Sequence, residues 1–314
     1  MSLFNEIIQQ QVDNKQHYVR SVSPPSGGIC IIIKNNEIYN IVDGCGWVHP
    51  TRKMQYSSLI TNVINKYVLK DCNININLSD HSKSGCFNFC RLKNNNTQFL
   101  LPNHRFTKDD ICIDNNEMKY DNFNQQKSYI FDRKIIVKKN KIFTSCIPHR
   151  SKVDYFSYAL KNNDICEGYC YTGSTHKLMH LTNDMYNNLK EKGMAGEKYS
   201  HWINHLNYKY VLYNDGNTLS DRLRLLLTSN AVIIRPSGSP YEEFYSYLLK
   251  HNQNYVEYSN INELRSIHNE LESNSKLYDK IIENNVGFVN KYLDYEQILL
   301  YTYSIINQIG VAME

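Results

Sequence analysis

The chain has 314 residues, which is long enough for two domains of average size, each with its own core. Because 41% of the residues are apolar and the charge is modest, the composition excludes a disordered chain. The net charge is +4, and lysines and arginines are scattered rather than clustered, which argues against nucleic-acid binding but leaves it open as an alternative. A small ligand that carries phosphate fits this charge as well.

No membrane span or secretory signal is visible in the sequence. There is no run of about 18 apolar residues, and the amino terminus MSLFNEIIQQQVDNKQ lacks the basic start and apolar core of a signal peptide. Nine cysteines, an odd number with none after Cys170, do not resemble a disulfide framework. We therefore expect reduced thiols and a cytoplasmic location.

The first half of the chain predicts an α/β domain with hairpin character. In GGICIIIKNNEIYNIVDG we expect two strands, at 29–34 and 37–42, joined by the turn-forming pair Asn35-Asn36. The segment SSLITNVINKYVLK has apolar residues at helical spacing, and NININL alternates as a strand does. The short segments CFNFC and QFLL follow as further strands.

The second half repeats an alternation of strand and helix. Four such units follow one another: KIFTSC with SKVDYFSYALKN, YVLY with SDRLRLLLTS, AVIIR with YEEFYSYLLKH, and NYVEY with INELRSIHNEL. Repeated βα units predict a parallel sheet covered by helices on both faces. We predict an N-terminal domain over 1–138, a C-terminal domain over 139–290 and a closing helix within 291–314.

The stretch YNDGNTLSDR lies where a predicted strand leads into a helix. Gly216 would permit a positive φ and a close backbone approach, and Ser220 is a good N-cap for a helix that begins at the next residue. Free amides of the first helical turn together with the guanidinium of Arg222 could then hold phosphate oxygens. The plainer alternative is that Ser220 only caps the helix and Arg222 is a solvated surface residue.

Histidine and cysteine pairs predict no zinc site. His176 with His180, and His201 with His205, have helical i, i+4 spacing, but no third or fourth ligand accompanies either pair. The cysteine pairs Cys86/Cys90 and Cys166/Cys170 have three residues between them rather than the two of a zinc knuckle. Packing is the favoured role for all of these side chains.

Several motifs in the same order resemble glycosyltransferase family 90, the protein O-glucosyltransferase and capsule xylosyltransferase family. The strand followed by DGNTLSDRLRLLL, then by AVI and YEEFY, resembles the family's nucleotide-sugar segment. Earlier, ININLSDHSKSGCFNFCRLK and the later IFTSCIPHRSKVDYF resemble its acidic loop and its arginine-containing loop. The resemblance covers about residues 28–260. It implies a GT-B fold, in which two Rossmann-like domains face each other across a cleft and the C-terminal helix packs back toward the N-terminal domain.

The resemblance also implies roles for individual residues. Ser220 and Arg222, with Gly216 beside them, would hold the diphosphate of a UDP-sugar, and Glu243 would bind the ribose hydroxyls. Asp80 would be the catalytic base, with His81 as a competitor. Arg150 matches the arginine-containing loop, although FTSCIPHR lacks the Arg-Gly pair that the family often has there.

The implied reaction is inverting transfer of glucose or xylose from the UDP-sugar donor to a glycan or protein hydroxyl acceptor. No DxD triplet occurs, which favours an enzyme without a metal or other cofactor. The alternative is a nucleotide-sugar-binding module that has lost catalysis.

Overall fold

The computed structural model describes residues 3–13, 24–81, 83–93, 95, 98–103, 106, 123–132, 137–147, 150–172, 180–198, 200, 202–216, 219–220, 222–309 and 311–312. The helices of the described chain are α1 (Leu3–Val12), α2 (Pro50–Lys66), α3 (Phe123–Asp132), α4 (Arg150–Lys161), α5 (Asn183–Glu191), α6 (Leu223–Thr228), α7 (Leu264–Ser273), α8 (Ser275–Tyr292) and α9 (Tyr295–Ile309). Short 3-10 helices cover Trp202–Asn207, Ser246–Leu248 and Ile261–Glu263.

The strands are β1 (Gly28–Lys34), β2 (Glu37–Asp43), β3 (Cys72–Asn77), β4 (Phe87–Asn88), β5 (Arg91–Leu92), β6 (Phe99–Leu100), β7 (Lys139–Cys146), β8 (Cys166–Tyr171), β9 (Ala195–Gly196), β10 (Tyr208–Leu212), β11 (Val232–Pro236), β12 (Tyr241–Glu242), β13 (Tyr255–Tyr258) and β14 (Val311–Ala312). No helix in these described ranges is both long enough and apolar enough to cross a membrane.

The chain divides into two compact units. The first unit contains 1–129, 240–248 and 290–314, and the second contains 130–239 and 249–289. The segment 240–248, which the sequence analysis placed in the C-terminal domain, is therefore grouped with the first unit. Each unit has its own sheet.

The first unit is built on a mixed sheet with the order β2-β1-β3-β4-β6, and β14 also pairs with β3. β1 pairs antiparallel with β2 and β3, whereas β3, β4 and β6 are parallel. The predicted hairpin is confirmed, with Asn35 and Asn36 both at positive φ, as a tight two-residue turn requires. Asn75 and Asn77 on β3 are buried as well as its isoleucines, so the alternation in NININL does not mark one solvated face.

The C-terminal helix packs back on the N-terminal part of the chain, as predicted. α9 contacts α1 and α2. Its Tyr301 is buried and accepts a hydrogen bond from Gln11 Nε2 at 2.7 Å, while its own hydroxyl donates to the Leu100 carbonyl at 3.2 Å. These bonds satisfy a buried phenol that would otherwise be costly, and they hold the end of the chain in the first unit.

The second unit is built on a parallel sheet with the order β13-β11-β10-β7-β8-β9. Every neighbouring pair in this sheet is parallel. If the six strands of this sheet are numbered 1 to 6 in chain order, beginning with β7, the order read from the β9 edge is 3-2-1-4-5-6. This is the strand order of the Rossmann fold. The predicted α/β class, with the Rossmann-like sheet that a GT-B protein requires, is confirmed here.

The main core of the second unit lies on one face of this sheet. Ile142, Cys166 and Tyr210 point to that face and pack with apolar residues of α4, α5, α7 and α8. Strand neighbours point to the opposite face, because successive side chains alternate. On that opposite face Phe143 stacks on Tyr208, with their ring centroids 4.1 Å apart.

The predicted helix over YEEFYSYLLKH is wrong. Residues 241–242 form β12, which pairs antiparallel with β5, and only 246–248 form a 3-10 helix. Phe244 and Tyr245 are fully buried, and Phe106 packs edge to face against both rings. Burial of two successive aromatic rings and pairing with β5 outweigh the helical spacing of the apolar residues.

Candidate functional site

The second sheet has a topological switch point between β7 and β10. From β7 the chain continues to β8 and β9 on one side, and it then returns to β10, β11 and β13 on the other. Ligands of open parallel sheets bind at the carboxyl ends of the strands at such a point. The Thr144 hydroxyl donates to the Leu212 carbonyl at 3.2 Å and ties these two strand ends together. The stretch YNDGNTLSDR follows β10 and therefore starts at this switch point.

Arg222 and Ser220 lie together at the switch point, but not in the predicted manner. α6 begins at Leu223, and its N-cap position is Arg222 without a side-chain capping bond, so Ser220 is not the cap. Instead, Arg222 Nε donates to the Ser220 hydroxyl at 3.3 Å, and Nη1 donates to the carbonyl of Ser145 near the end of β7. α6 has only six residues, and the guanidinium is the stronger anion-binding group of the loop.

The loop after β10 is held by two hydrogen bonds, one buried and one partly buried. Tyr258 at the end of β13 donates to Asn214 Oδ1 at 3.1 Å, and Ser239 donates to Asp215 Oδ2 at 2.6 Å. Burial raises the pKa of Asp215, although the Ser239 bond and nearby cations oppose the rise. Gly216 follows Asp215 in the same loop and is partly exposed, and its role beside the phosphate stays a prediction.

Lys152, which the sequence analysis did not single out, is the second cation of this site. It lies in the first turn of α4, directly after β7, and is only 4% exposed. Burial lowers its pKa from 10.5 to about 8; Cys146 and Asp215 oppose the lowering, and Arg222 adds to it. Within the described chain its ammonium group makes no hydrogen bond or ion pair. The only feature of the sequence that could have indicated a role for Lys152 is its position in the first turn of a helix that follows a parallel strand.

Lys152, Arg222 and Asp215 form what we call the switch-point cluster. Two cations close enough to influence each other carry more charge than one carboxylate neutralises. The neighbouring Cys146 thiol contributes no charge at neutral pH, because burial raises its pKa. A bound anion with two or more charges would relieve the repulsion between the cations. The cluster is therefore suited to a phosphate or pyrophosphate group.

Asp80 lies in the first unit, in the loop that follows the carboxyl end of β3. Its side chain is 51% exposed. Arg52 of α2 donates from Nη2 to Asp80 Oδ1 at 2.7 Å and from Nη1 to the Leu78 carbonyl at 2.6 Å. The guanidinium thus holds the carboxylate and its loop at once. Oδ2 of Asp80 remains for another partner.

Two buried asparagines shape the Asp80 loop. Asn77 Nδ2 donates to Asn88 Oδ1 at 2.9 Å and to the His81 carbonyl at 2.7 Å, while Ser79 donates to Asn77 Oδ1 at 2.7 Å. Asn88 Oδ1 also accepts from the amide of Lys83 at 2.8 Å. The loop conformation is therefore fixed at both ends by side-chain bonds to its backbone. A carboxylate on such a loop is preorganised rather than freely rotating.

Two predicted residues remain, Glu243 and Arg150. Glu243 is 2% exposed, belongs to the first unit, and accepts a hydrogen bond from the Tyr245 hydroxyl at 3.1 Å. Because the helix predicted over YEEFYSYLLKH does not form, Glu243 does not lie on a helix; it directly follows β12. Arg150 begins α4, and its side chain lies outside the described residues.

The cysteine pair on β8 lies in the core. Cys166 and Cys170 are buried whereas their strand neighbours are partly exposed, and burial raises the pKa of each thiol to about 12. Among the described residues no group of three or more histidine, cysteine or acidic side chains could hold a metal ion. Of the histidine pairs, His176 and His201 lie outside the described residues.

Solved structures with a similar arrangement are remote in sequence. The C-terminal domain of a glycosyl transferase group 1 family protein, LpcC, from Francisella tularensis has 13% identity and a TM-score of 0.38, covering 55% of this chain and 93% of that one. HepE from Anabaena in complex with UDP-glucose has 9% identity and a TM-score of 0.41, over 52% of this chain and 47% of that one. An alpha1,3-fucosyltransferase with GDP-fucose has 14% identity and a TM-score of 0.39, over 77% and 76%.

Sequence comparison is more specific. No curated protein matches the chain significantly. The family signature described as Glycosyl transferase family 90 matches residues 171–313, a range that includes the loop after β10 and Arg222. The resemblance seen in the motifs is thus confirmed over 171–313, and this part of the chain carries the signature of glycosyltransferase family 90.

Proposed function

We propose that the protein is an inverting glycosyltransferase that moves glucose or xylose from a UDP-sugar to a hydroxyl of a glycan or protein. The observation that carries the proposal is the switch-point cluster, in which the buried Lys152 and Arg222 lie at the carboxyl ends of parallel strands. The family signature over 171–313 supports the same class of reaction.

The cluster would hold the diphosphate of the donor. Lys152 offers a compact ammonium group, and Arg222 offers a planar fork already oriented by Ser145 and Ser220. A hydrogen bond between a charged donor and phosphate contributes about 1.5–3 kcal/mol. Both cations interact more strongly with the diphosphate as the leaving UDP gains negative charge, so they stabilise the transition state more than the ground state.

Asp80 would act as the base. The acceptor hydroxyl attacks the anomeric carbon on the face opposite the diphosphate, a new carbon–oxygen bond forms, and the bond to the diphosphate oxygen breaks. The hydroxyl proton passes to Oδ2 of Asp80, while Arg52 keeps Oδ1 in place. Arg52 is thus a positioning residue. With two cations at the diphosphate, the proposed mechanism needs no metal ion.

The test is release of UDP from UDP-glucose or UDP-xylose, with and without sugar and peptide hydroxyl acceptors. We expect Asp80→Asn to leave UDP binding nearly unchanged and to abolish transfer. The exposed Asp279→Asn on α8 is the matched control and should keep full activity. Full transfer by Asp80→Asn would remove Asp80 from the mechanism.

A non-catalytic nucleotide-sugar-binding module is the alternative. It shares the switch-point cluster but predicts UDP binding without turnover under any acceptor. A nucleic-acid binder would instead show affinity for RNA or DNA that falls steeply with salt concentration. UDP binding and UDP release, measured on the same preparation, separate these three possibilities.

A further inference from the structure

A polar cavity lies on the face of the second sheet opposite its main core. It has a volume of about 320 Å³ and is lined by Phe143, Glu167, Tyr169, Lys198, Ser200 and Asn204, among others. This volume is at the lower end of the range of about 300–1,000 Å³ typical of small-molecule sites. None of its lining residues belongs to the switch-point cluster.

The floor of the cavity is a fixed carboxylate next to an aromatic pair. Glu167 Oε1 accepts hydrogen bonds from the Tyr208 hydroxyl at 2.6 Å and from Lys139 Nζ at 2.9 Å. Burial raises the pKa of Glu167, but these two bonds and the charges of Lys139 and Lys141 together outweigh burial and lower it, so the carboxylate is ionised at neutral pH. The ring of Tyr208 stacks on Phe143, with the ring centroids 4.1 Å apart, so the phenol that binds Glu167 is itself held by packing.

The floor and the wall of the cavity offer both acceptors and donors of hydrogen bonds. Glu167 Oε2 has only an ion pair with Lys141 at 3.7 Å, which leaves lone pairs to accept hydroxyl groups. On the wall, Asn204 Nδ2 donates to the Ser200 hydroxyl at 3.0 Å. Asn204 Oδ1 can therefore accept a hydrogen bond, and the Ser200 hydroxyl can donate one.

We propose that this cavity binds a neutral sugar unit, as a carbohydrate site additional to the donor site at the switch point. An ionised carboxylate, an amide, a hydroxyl and a phenol can each exchange hydrogen bonds with the hydroxyls of a pyranose ring, and the Tyr169 ring offers an apolar surface beside them. The predominantly polar lining disfavours an apolar ligand. The sugar site does not depend on the proposed transfer reaction.

The experiment measures binding of glucose and xylose to the full chain by saturation-transfer NMR. We expect both sugars to bind the wild-type protein, and Asn204→Leu to weaken binding at least tenfold through loss of a hydrogen-bonding amide. Asn204 is exposed, so this variant should fold. Asn187→Leu, on the exposed side of α5, is the matched control and should bind as the wild type does. UDP affinity should be the same in all three proteins.

A second variant and a competitor complete the test. Glu167→Gln keeps the shape of the floor and should also weaken sugar binding about tenfold or more. Three results would overturn the sugar site: no binding of either sugar to the wild type, unchanged binding in both variants, or displacement of the sugar by inorganic phosphate. Because UDP binding is recorded in parallel, failure of the sugar site and failure of the donor site are distinguishable.

Discussion

The substitution Lys152→Met should make the protein more stable and its ligand binding weaker. Lys152 is 4% exposed, so folding transfers an ammonium group out of water. The difference between its usual pKa of 10.5 and the value of about 8 corresponds to about 3 kcal/mol against the charged form. Methionine has a similar length and no charge, and it avoids this cost.

Part of the gain will be lost at Asp215. Burial raises the pKa of Asp215, and the positive charge of Lys152 lowers it. Removing the ammonium group therefore leaves less positive charge near the buried carboxylate to stabilise its ionised form. We therefore expect a net increase of about 1–2 kcal/mol in the free energy of unfolding at pH 7. For UDP the expected change is opposite, a loss of about 10–100-fold in affinity, because one charged hydrogen bond to phosphate disappears.

The pH dependence provides the check on mechanism. Between pH 8 and the unfolded value of 10.5 the native state binds fewer protons than the unfolded state, so wild-type stability gains as the pH rises through this window. Lys152→Met should lack that gain, and the two proteins should therefore converge in stability by about pH 10. Calorimetry at pH 7 and 10 measures the stabilities, and titration calorimetry measures UDP affinity.

Lys161→Met is the matched control, because Lys161 lies at the exposed end of the same helix. It should change neither stability nor affinity. A Lys152→Met protein that is less stable than the wild type at pH 7, and that binds UDP equally well, would refute a ligand role for this lysine.

Three further predictions follow from the same contacts. Wild-type affinity for UDP should fall by at most about tenfold per pH unit above about pH 8, because Lys152 loses its proton there. Titrations from pH 6.5 to 9.5 measure this dependence, and a flat profile would contradict a contribution from Lys152. Arg222→Ala should weaken UDP binding about 10–100-fold, and Arg222→Lys should restore only part of it because an ammonium lacks the planar fork; equal affinity in the alanine variant would discard this assignment. Arg52→Ala should lower kcat about tenfold or more with little change in the KM for the donor, since both side-chain hydrogen bonds of Arg52 go to the Asp80 loop. A change confined to KM would contradict its positioning role.

Local signals allowed much of the fold to be predicted. The Asn35-Asn36 turn between two apolar strands is specified by adjacent residues that tolerate positive φ, and the parallel sheet follows from repeated strand and helix patterns. The helix predicted after residue 240 does not form, because this segment instead pairs with β5, a strand about 150 residues earlier in the chain. Such distant pairing leaves no trace in a short window of sequence.

The site was only partly predictable for the same reason. Arg222 and Ser220 are close in sequence, and the loop that carries them was predicted, but the residue at which α6 begins was not. Lys152 reads as an ordinary lysine near a helix start, and only the packed structure reveals that it is buried. Arg52 and Asp80 are 28 residues apart, and no sequence pattern announces their ion pair.

The most direct test of the donor site is a crystal structure of the protein with UDP bound. The account predicts diphosphate oxygens within about 3 Å of Lys152 Nζ and of the Arg222 guanidinium, at the carboxyl ends of β7 and β10. A structure in which UDP binds elsewhere, with both of these cations out of reach of its phosphates, would contradict it.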